Sequence, residues 1–248
     1  MQFEEIDAVV GELPGIPWRW GRRLYDFVLA HKPKQLLELG FWHGKSSCYT
    51  AAALHELGAG HLTTVDLESA RKNEPNIHEL LKKTGLSSFV TVNHEATSYT
   101  WFLKKALAAA TVDGHTVPKY DLCFIDGAHS WEADGLSFFL ADKLLNPGGY
   151  MLFDDYSWSY ATSTALKNTD FVRNMPADER EEPHVKLIFE LLVKQHPSYG
   201  EFLVEENNWA WAKKLTADEK AAVRTETRVI SPVTQLQNWL GARRTRKP

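Results

Sequence analysis

The stretch from Gln35 to Ala53, QLLELGFWHGKSSCYTAAA, constrains the fold most, because an apolar run, a glycine pair and a helix-forming run follow one another without a spacer. Leu36, Leu37 and Leu39 suit a strand buried on both faces. Gly40 and Gly44 allow positive φ or close approach to a ligand. Ser46 and Ser47 open the following helix, whose unpaired N–H groups and positive dipole end favour a carboxylate or phosphate over the turn. The wording is E-x-G-x-x-x-G, with Glu38, Gly40 and Gly44, and it lacks the G-x-G-x-x-G that a dinucleotide pyrophosphate requires. Glu38, at the strand's C-terminal end, is suited to meet an ammonium group, so an amino-acid-like cofactor is expected in place of NAD or FAD.

The rest of the chain reads as further strand and helix steps. Before the turn, Trp20, Leu24, Phe27 and Val28 give a helical face within Pro14 to His31, ended by Pro33, with Trp18 and Trp20 expected to pack or, alternatively, to line a substrate mouth. HLTTVDLE is a second strand ending at Asp66, a carboxylate placed to accept both hydroxyls of a ribose or, alternatively, to cap the next helix. A helix from Ile77 to Lys83 ends at Gly85, and a third strand, Phe89 to Val92, leads to Ala96 and Thr97, where an adenine ring would find apolar contact and a polar edge. A fourth strand, Tyr120 to Ile125, ends in Asp126-Gly127-Ala128-His129. A helix from Trp131 to Leu144 is stopped by Asn146-Pro147-Gly148-Gly149, and a fifth strand ends in Asp154 and Asp155. Three carboxylates at neighbouring strand ends repel one another, and a hard divalent cation such as Mg²⁺ with Asp126, Asp154 and Asp155 as ligands relieves that; capping of the following helices is the other reading. Residues 157–182 form a long polar loop suited to an acceptor, Pro183 to Gln195 a helix, and Gly200 to Val204 with Trp209 to Lys213 a hairpin.

With 248 residues, 44% hydrophobic and 24% charged, the chain suits one large α/β domain. The expected layout is a helical cap over 1–34, the main domain over 35–214 and an extension over 215–248. There Val233, Leu236 and Leu240 form either a homo-oligomer contact or a terminal helix, and the basic run from Arg243 to Lys247 a solvated end. A net charge of −4 argues against nonspecific nucleic-acid binding. Cys48 and Cys123 lie on apolar segments and give no disulfide framework or metal spacing. No run reaches the ~18 apolar residues of a membrane span, and the acidic start is unlike a signal peptide, so a cytoplasmic protein is expected.

LLELGFWHGKS resembles motif I of the class I S-adenosylmethionine-dependent methyltransferases, most of all the catechol O-methyltransferase type, over about Gln35 to Tyr156. The resemblance implies a doubly wound, mostly parallel seven-stranded sheet with an antiparallel C-terminal hairpin. It implies that Glu38, Gly40, Gly44 and Ser46 hold the methionine half of S-adenosylmethionine, Asp66 the ribose, and Ala96 and Thr97 the adenine; Glu95 replaces a family glycine there. Trp42 stands beside the sulfonium or roofs the turn. Asp126, also close to the cofactor, Asp154 and Asp155 match three metal ligands, the last being Asp where the catechol enzymes have Asn. His129 falls where those enzymes carry a lysine that takes the substrate proton, and an imidazole, with an ordinary pKa near 6.5, can do the same or serve only to start a helix. The wording from Asp126 to Glu132 is also similar to the macrocin type of bacterial O-methyltransferases, which act on sugars and antibiotics. The implied activity is methyl transfer to a hydroxyl of a small molecule. The alternatives are a cofactor-binding or interaction protein that keeps the fold without catalysis, and an NAD-dependent oxidoreductase.

Overall fold

The computed structural model describes residues 1–227. Strands β1 (Gln35–Leu39), β2 (His61–Leu67), β3 (Val90–Glu95), β4 (Tyr120–Ile125), β5 (Leu145–Phe153), β6 (Tyr199–Glu205) and β7 (Trp209–Lys214) make one sheet in the order β3-β2-β1-β4-β5-β7-β6. The first five pair in parallel, and β7 and β6 add antiparallel. This is the doubly wound, mostly parallel seven-stranded sheet with an antiparallel hairpin that the family resemblance implies. The hairpin turns through Glu206 and Asn207, both at positive φ, which lets the strands keep their twist through the reversal.

Helices α1 (Phe3–Val10), α2 (Trp18–His31) and α3 (Lys45–Leu57) pack on one another beside the sheet, as the contacts of α3 with both others show. The sequence reading expects one helix between Pro14 and His31; α2 starts only after Pro17 and ends at a left-handed Lys32 before Pro33. It has no helix at the acidic start. Yet Phe3, Ile6 and Val10, spaced i, i+3 and i+7, are all buried in α1, the signal that the net charge obscured. Trp20 stacks on Trp209 with ring centroids 4.7 Å apart, so it packs as expected, while Trp18 meets Phe3 edge-on.

Three further helices, α4 (Ile77–Thr84), α5 (Tyr99–Ala110) and α6 (Trp131–Leu144), complete the parallel half. Gly85 caps α4 in the left-handed region and Ser130 caps α6 by accepting from the Ala133 N–H, as the stop and start signals indicate. Asn146 to Gly149 follow the end of α6 at Leu144, as expected of a helix stop, and also lie within the start of β5, where the register slips between Leu145 and Tyr150. Pro147 has no N–H to give a ladder, and Gly149 approaches the Asp121 carbonyl so closely that a Cβ would stand 2.9 Å from its oxygen. A small hairpin pairs Thr111–Val112 with His115–Thr116. The 157–182 segment holds two short helical turns, Asp170–Arg173 and Ala177–Glu181. The expected helix from Pro183 runs as His184–Ile188 and then widens to a π-turn over Phe189–Val193.

Each face of the sheet has its own core. Leu36 packs with α1, α2 and α3, and Leu37 and Leu39 with α5 and α6, which is the period of two along β1. Cys48 and Cys123 are buried free thiols. Residues 1–214 form one compact unit, so the expected cap belongs to the same body as the sheet. In the second unit, 215–248, the described part is a helix, Ala217–Thr227, started by Thr216 and Glu219. Val233, Leu236, Leu240 and the basic run lie outside the described residues. Among the described residues no helix is long and apolar enough to cross a membrane.

Candidate active site

Main-chain hydrogen bonds step across the strand ends and place the key residues side by side. The Gly40 N–H donates to the Val65 carbonyl at 2.8 Å, the Asp126 N–H to Leu39 at 2.9 Å and the Asp154 N–H to Ile125 at 3.1 Å. Each residue is the first past its strand, so the three meet beyond the C-terminal edge, where β1 and β4 mark the reversal of strand order and ligands of such sheets bind. A crevice of about 840 Å³ opens there, a size suited to a cofactor together with part of an acceptor.

Gly40 and Gly44 have φ of 92° and 95°, and both are needed. A Cβ on Gly40 would stand 1.9 Å from the Asp126 carbonyl oxygen, and one on Gly44 would run into Ile77. Gly44 is the N-cap of α3 and lies behind the crevice, while Gly40, Trp42 and Ser46 line it. Trp42, His129 and Asp155 are non-glycine residues at positive φ around this one crevice, a concentration of backbone strain usual where a site is held in a set shape.

Asp66 lines the crevice, and its Oδ2 accepts from the N–H groups of Phe41 at 2.9 Å and Trp42 at 2.7 Å. It therefore ties the glycine turn to the end of β2 and does not cap a helix of its own. Asn73 adds a second tie, donating to the Trp42 carbonyl at 2.7 Å. Thr97 also lines the crevice, whereas Ala96 does not. Glu95 turns away into an ion pair with Lys105.

Glu38 is not brought to the crevice. It is 1% exposed and sits behind the turn, where one carboxyl oxygen accepts from the hydroxyls of Ser47 and of Thr64, the latter at 2.6 Å. Its other oxygen, Oε1, is buried without a partner. Burial pushes this carboxyl above the usual carboxylate range, and the hydroxyls of Ser47, Thr64 and Ser46 only partly oppose that. In this arrangement Glu38 supports the turn from below and does not line the crevice, although the Ser46 hydroxyl beside it belongs to the crevice wall.

On the other wall, Asp126, His129, Asp154 and Asp155 come together. Asp154 Oδ1 accepts from the Asp155 N–H, Asn208 Nδ2 and Trp209 Nε1 at 2.7, 2.8 and 2.9 Å. Burial and then the neighbouring Asp155 nevertheless push it up to about 7. Asp126 is raised well above the carboxylate range by burial and then by Asp154 and Asp155. The repulsion expected from the sequence is therefore present. Among the described residues, however, no group of three or more His, Cys, Asp or Glu side chains is arranged to hold a metal ion.

His129 Nε2 stands 3.3 Å from Asp155 Oδ2, and its ring lies 5.3 Å from that of Trp158 in the 157–182 segment. The loop that carries it rests on Tyr99, whose hydroxyl accepts from the Ala128 N–H at 2.9 Å and donates to buried Asp134. A Cβ on Gly127 would overlap the Tyr99 ring. The sequence reading missed Tyr99, as it missed Lys45 and Asn208 on the crevice wall; the 14–17 segment, also on that wall, belongs to the stretch from Pro14 expected to help build the acceptor pocket. Only the D-G pair hinted at Tyr99, since a glycine after a strand-end acid often marks a close approach.

Residues 37–156 match a protein family described as a methyltransferase domain. The chain has the class I methyltransferase fold. The O-methyltransferase TomG from Streptomyces achromogenes, involved in tomaymycin synthesis and solved with S-adenosylmethionine, superposes with a TM-score of 0.56 at 19% identity, over 86% of this chain and 88% of that one. An O-methyltransferase from Bacillus cereus in complex with S-adenosylhomocysteine gives 0.56 at 18% identity, over 86% and 90%. The S-adenosylhomocysteine-bound methyltransferase PaMTH1 from Podospora anserina gives 0.57 at 17% identity, over 86% of each chain. No curated protein is similar enough in sequence to match. The doubly wound sheet with an antiparallel C-terminal hairpin, which the family resemblance implies, is therefore the fold of this chain.

Proposed function

We propose that the chain is an O-methyltransferase that moves the methyl group of S-adenosylmethionine to a hydroxyl of a small molecule. The observation that carries this reading is one crevice in which the Gly40 turn, Ser46 and Asp66 face Asp126, His129 and Asp155. The turn and the N-terminus of α3 suit the methionine carboxylate, as unpaired helix N–H groups attract anions. Asp66 already accepts from three main-chain N–H groups, Phe41 and Trp42 on Oδ2 and Leu67 on Oδ1, and the remaining lone pairs of its two oxygens leave acceptor capacity for a ribose. Of the pair expected to meet the adenine, Thr97 is on the crevice wall, followed there by Ser98, which supports an adenine at that end of the crevice.

The chemistry needs alignment and a base. The crevice walls hold methyl donor and hydroxyl in line, which removes the entropy of bringing them together. His129, oriented through Nε2 by Asp155, keeps Nδ1 to take the hydroxyl proton as the oxygen attacks. Trp158 beside it supplies an apolar face that suits an acceptor ring and keeps water from the reacting oxygen. In-line attack then breaks the methyl–sulfur bond and leaves S-adenosylhomocysteine.

Calorimetry tests the cofactor part. Wild type is expected to bind S-adenosylmethionine and not NAD, and Asp66→Ala to lose about 1–3 kcal/mol of that binding, the size of charge-assisted hydrogen bonds. Unchanged affinity in the variant would remove Asp66 from the cofactor site.

A divalent cation is the second part of the proposal. Asp126, Asp154 and Asp155 have the hard oxygen chemistry that Mg²⁺ takes, and their mutual repulsion favours a cation among them. Their present arrangement does not gather three ligands around one point, so no step above runs through an ion. Bound there, a cation would supply Lewis acidity to the acceptor hydroxyl. Activity is expected to fall in excess chelator and return with Mg²⁺. Full activity in chelator, with no metal found by elemental analysis, would rule the cation out.

A further inference from the structure

Lys45 has no part in the methyl transfer outlined above, yet the structure gives it an unusual setting. It is the first residue of α3 and is 5% exposed. A cation at a helix N-terminus is opposed by the helix dipole, and burial lowers its pKa below the ordinary lysine range. The setting is compensated by direct bonds: Nζ donates to the Gly11 carbonyl at 2.7 Å and to the Leu13 carbonyl at 3.0 Å. The facing acids Asp7 and Glu12 add attraction.

The segment that receives these bonds leads directly into the crevice wall. Pro14, Gly15, Ile16 and Pro17 are four consecutive lining residues. Gly15, at φ 114°, lies across from Trp42, and a Cβ there would stand 3.8 Å from the Trp42 ring. The segment thus meets the glycine turn from the outside. One turn further along α3, the Tyr49 hydroxyl donates to Asp7 at 2.5 Å and the Tyr49 ring stacks on Phe3 at 5.0 Å. Residues four apart share a helix face. Lys45 and Tyr49 therefore form one face of α3 that holds α1 and the chain leaving it.

We infer that Lys45 is a positioning residue for the cofactor: its ammonium fixes residues 11–17 as a wall of the crevice, so that cofactor affinity depends on it and the chemical step does not. This rests on the reading of the crevice as the S-adenosylmethionine site. A buried ammonium with two carbonyl acceptors gives a rigid anchor, and a wall that is already ordered need not be ordered by the ligand, which raises affinity.

The test uses Lys45→Met, which keeps the length and apolar stem but removes the donors. The Kd and KM for S-adenosylmethionine are expected to rise tenfold or more, with kcat at saturating cofactor within about twofold of wild type. Amide hydrogen exchange between Gly11 and Ile16 is expected to quicken in the ligand-free variant, and Lys45→Arg, which keeps donors for both carbonyls, to retain affinity within about threefold. If Lys45→Met does not fold, Ile16→Ala carries the same measurement, since a wall residue must also change Kd and leave kcat. Wild-type affinity in Lys45→Met, or a loss confined to kcat, would overturn the inference. A wild-type protein that fails to bind S-adenosylmethionine would overturn the reading beneath it as well.

Discussion

His129→Gln is expected to lower the turnover number about 10²-fold or more, the usual scale of general-base catalysis, while leaving the affinity for S-adenosylmethionine near wild type. Glutamine keeps a polar side chain of similar reach but cannot take a proton at neutral pH. The geometry sharpens the expectation, because Asp155 faces Nε2 and leaves Nδ1 as the base. Asp155→Asn, which removes the orienting charge, should then lower turnover in the same direction by a smaller factor. Steady-state rates, with calorimetry on each variant, decide the matter. Near-normal turnover in His129→Gln would assign proton removal to another group and leave His129 a structural part of its turn.

Gly40→Ala carries the largest expected effect on the fold. The added Cβ would stand 1.9 Å from the Asp126 carbonyl oxygen and 2.9 Å from Gly127 Cα, both backbone atoms that cannot swing away. Left-handed strain of about 1–3 kcal/mol at a non-glycine residue comes on top. A total of about 3–5 kcal/mol is expected, a melting-point fall of about 6–20 °C for a chain of this size. Because the forced shift separates Gly40 from Asp126, the two walls of the crevice part and cofactor binding should be lost even below the melting temperature. A thermal melt with calorimetry on the folded variant measures both. Unchanged melting and affinity would show that the strand ends can slide apart without cost, which the hydrogen bond from Asp126 to Leu39 argues against.

The parts of the site that depend on local chemistry are legible before folding. Gly40 and Gly44 announce a turn because only glycine takes those φ values freely. Asp66, Asp126 and Asp154 follow apolar runs, and a parallel sheet brings such strand ends to one edge. The hairpin at Glu206 and Asn207 and the stop at Gly85 are equally local. By contrast, α1 was hidden under acidic residues, and Tyr99 and Lys45 look like ordinary members of their helices until their partners, far away in sequence, are in place.

Glu38 marks the boundary most clearly. Its sequence fixes it at the end of β1, and the period of two fixes it on the face of Leu36, opposite Leu37 and Leu39. Which of those faces α3 covers is a matter of how the crossover packs, and α3 covers the face of Leu36. Glu38 is thereby buried against Ser47 and Thr64 rather than turned to the crevice. The sequence alone determined the strand–turn–helix, the succession of strands and helices and the acids that end the strands, since those follow from backbone preference and hydrophobic period, while the order of the strands in the sheet was implied by the family resemblance. Tertiary structure alone decided which side chains look into the crevice, that Lys45 holds the Gly11 to Pro17 wall against it, and that Asp155 meets His129. Those contacts join segments that only packing brings together.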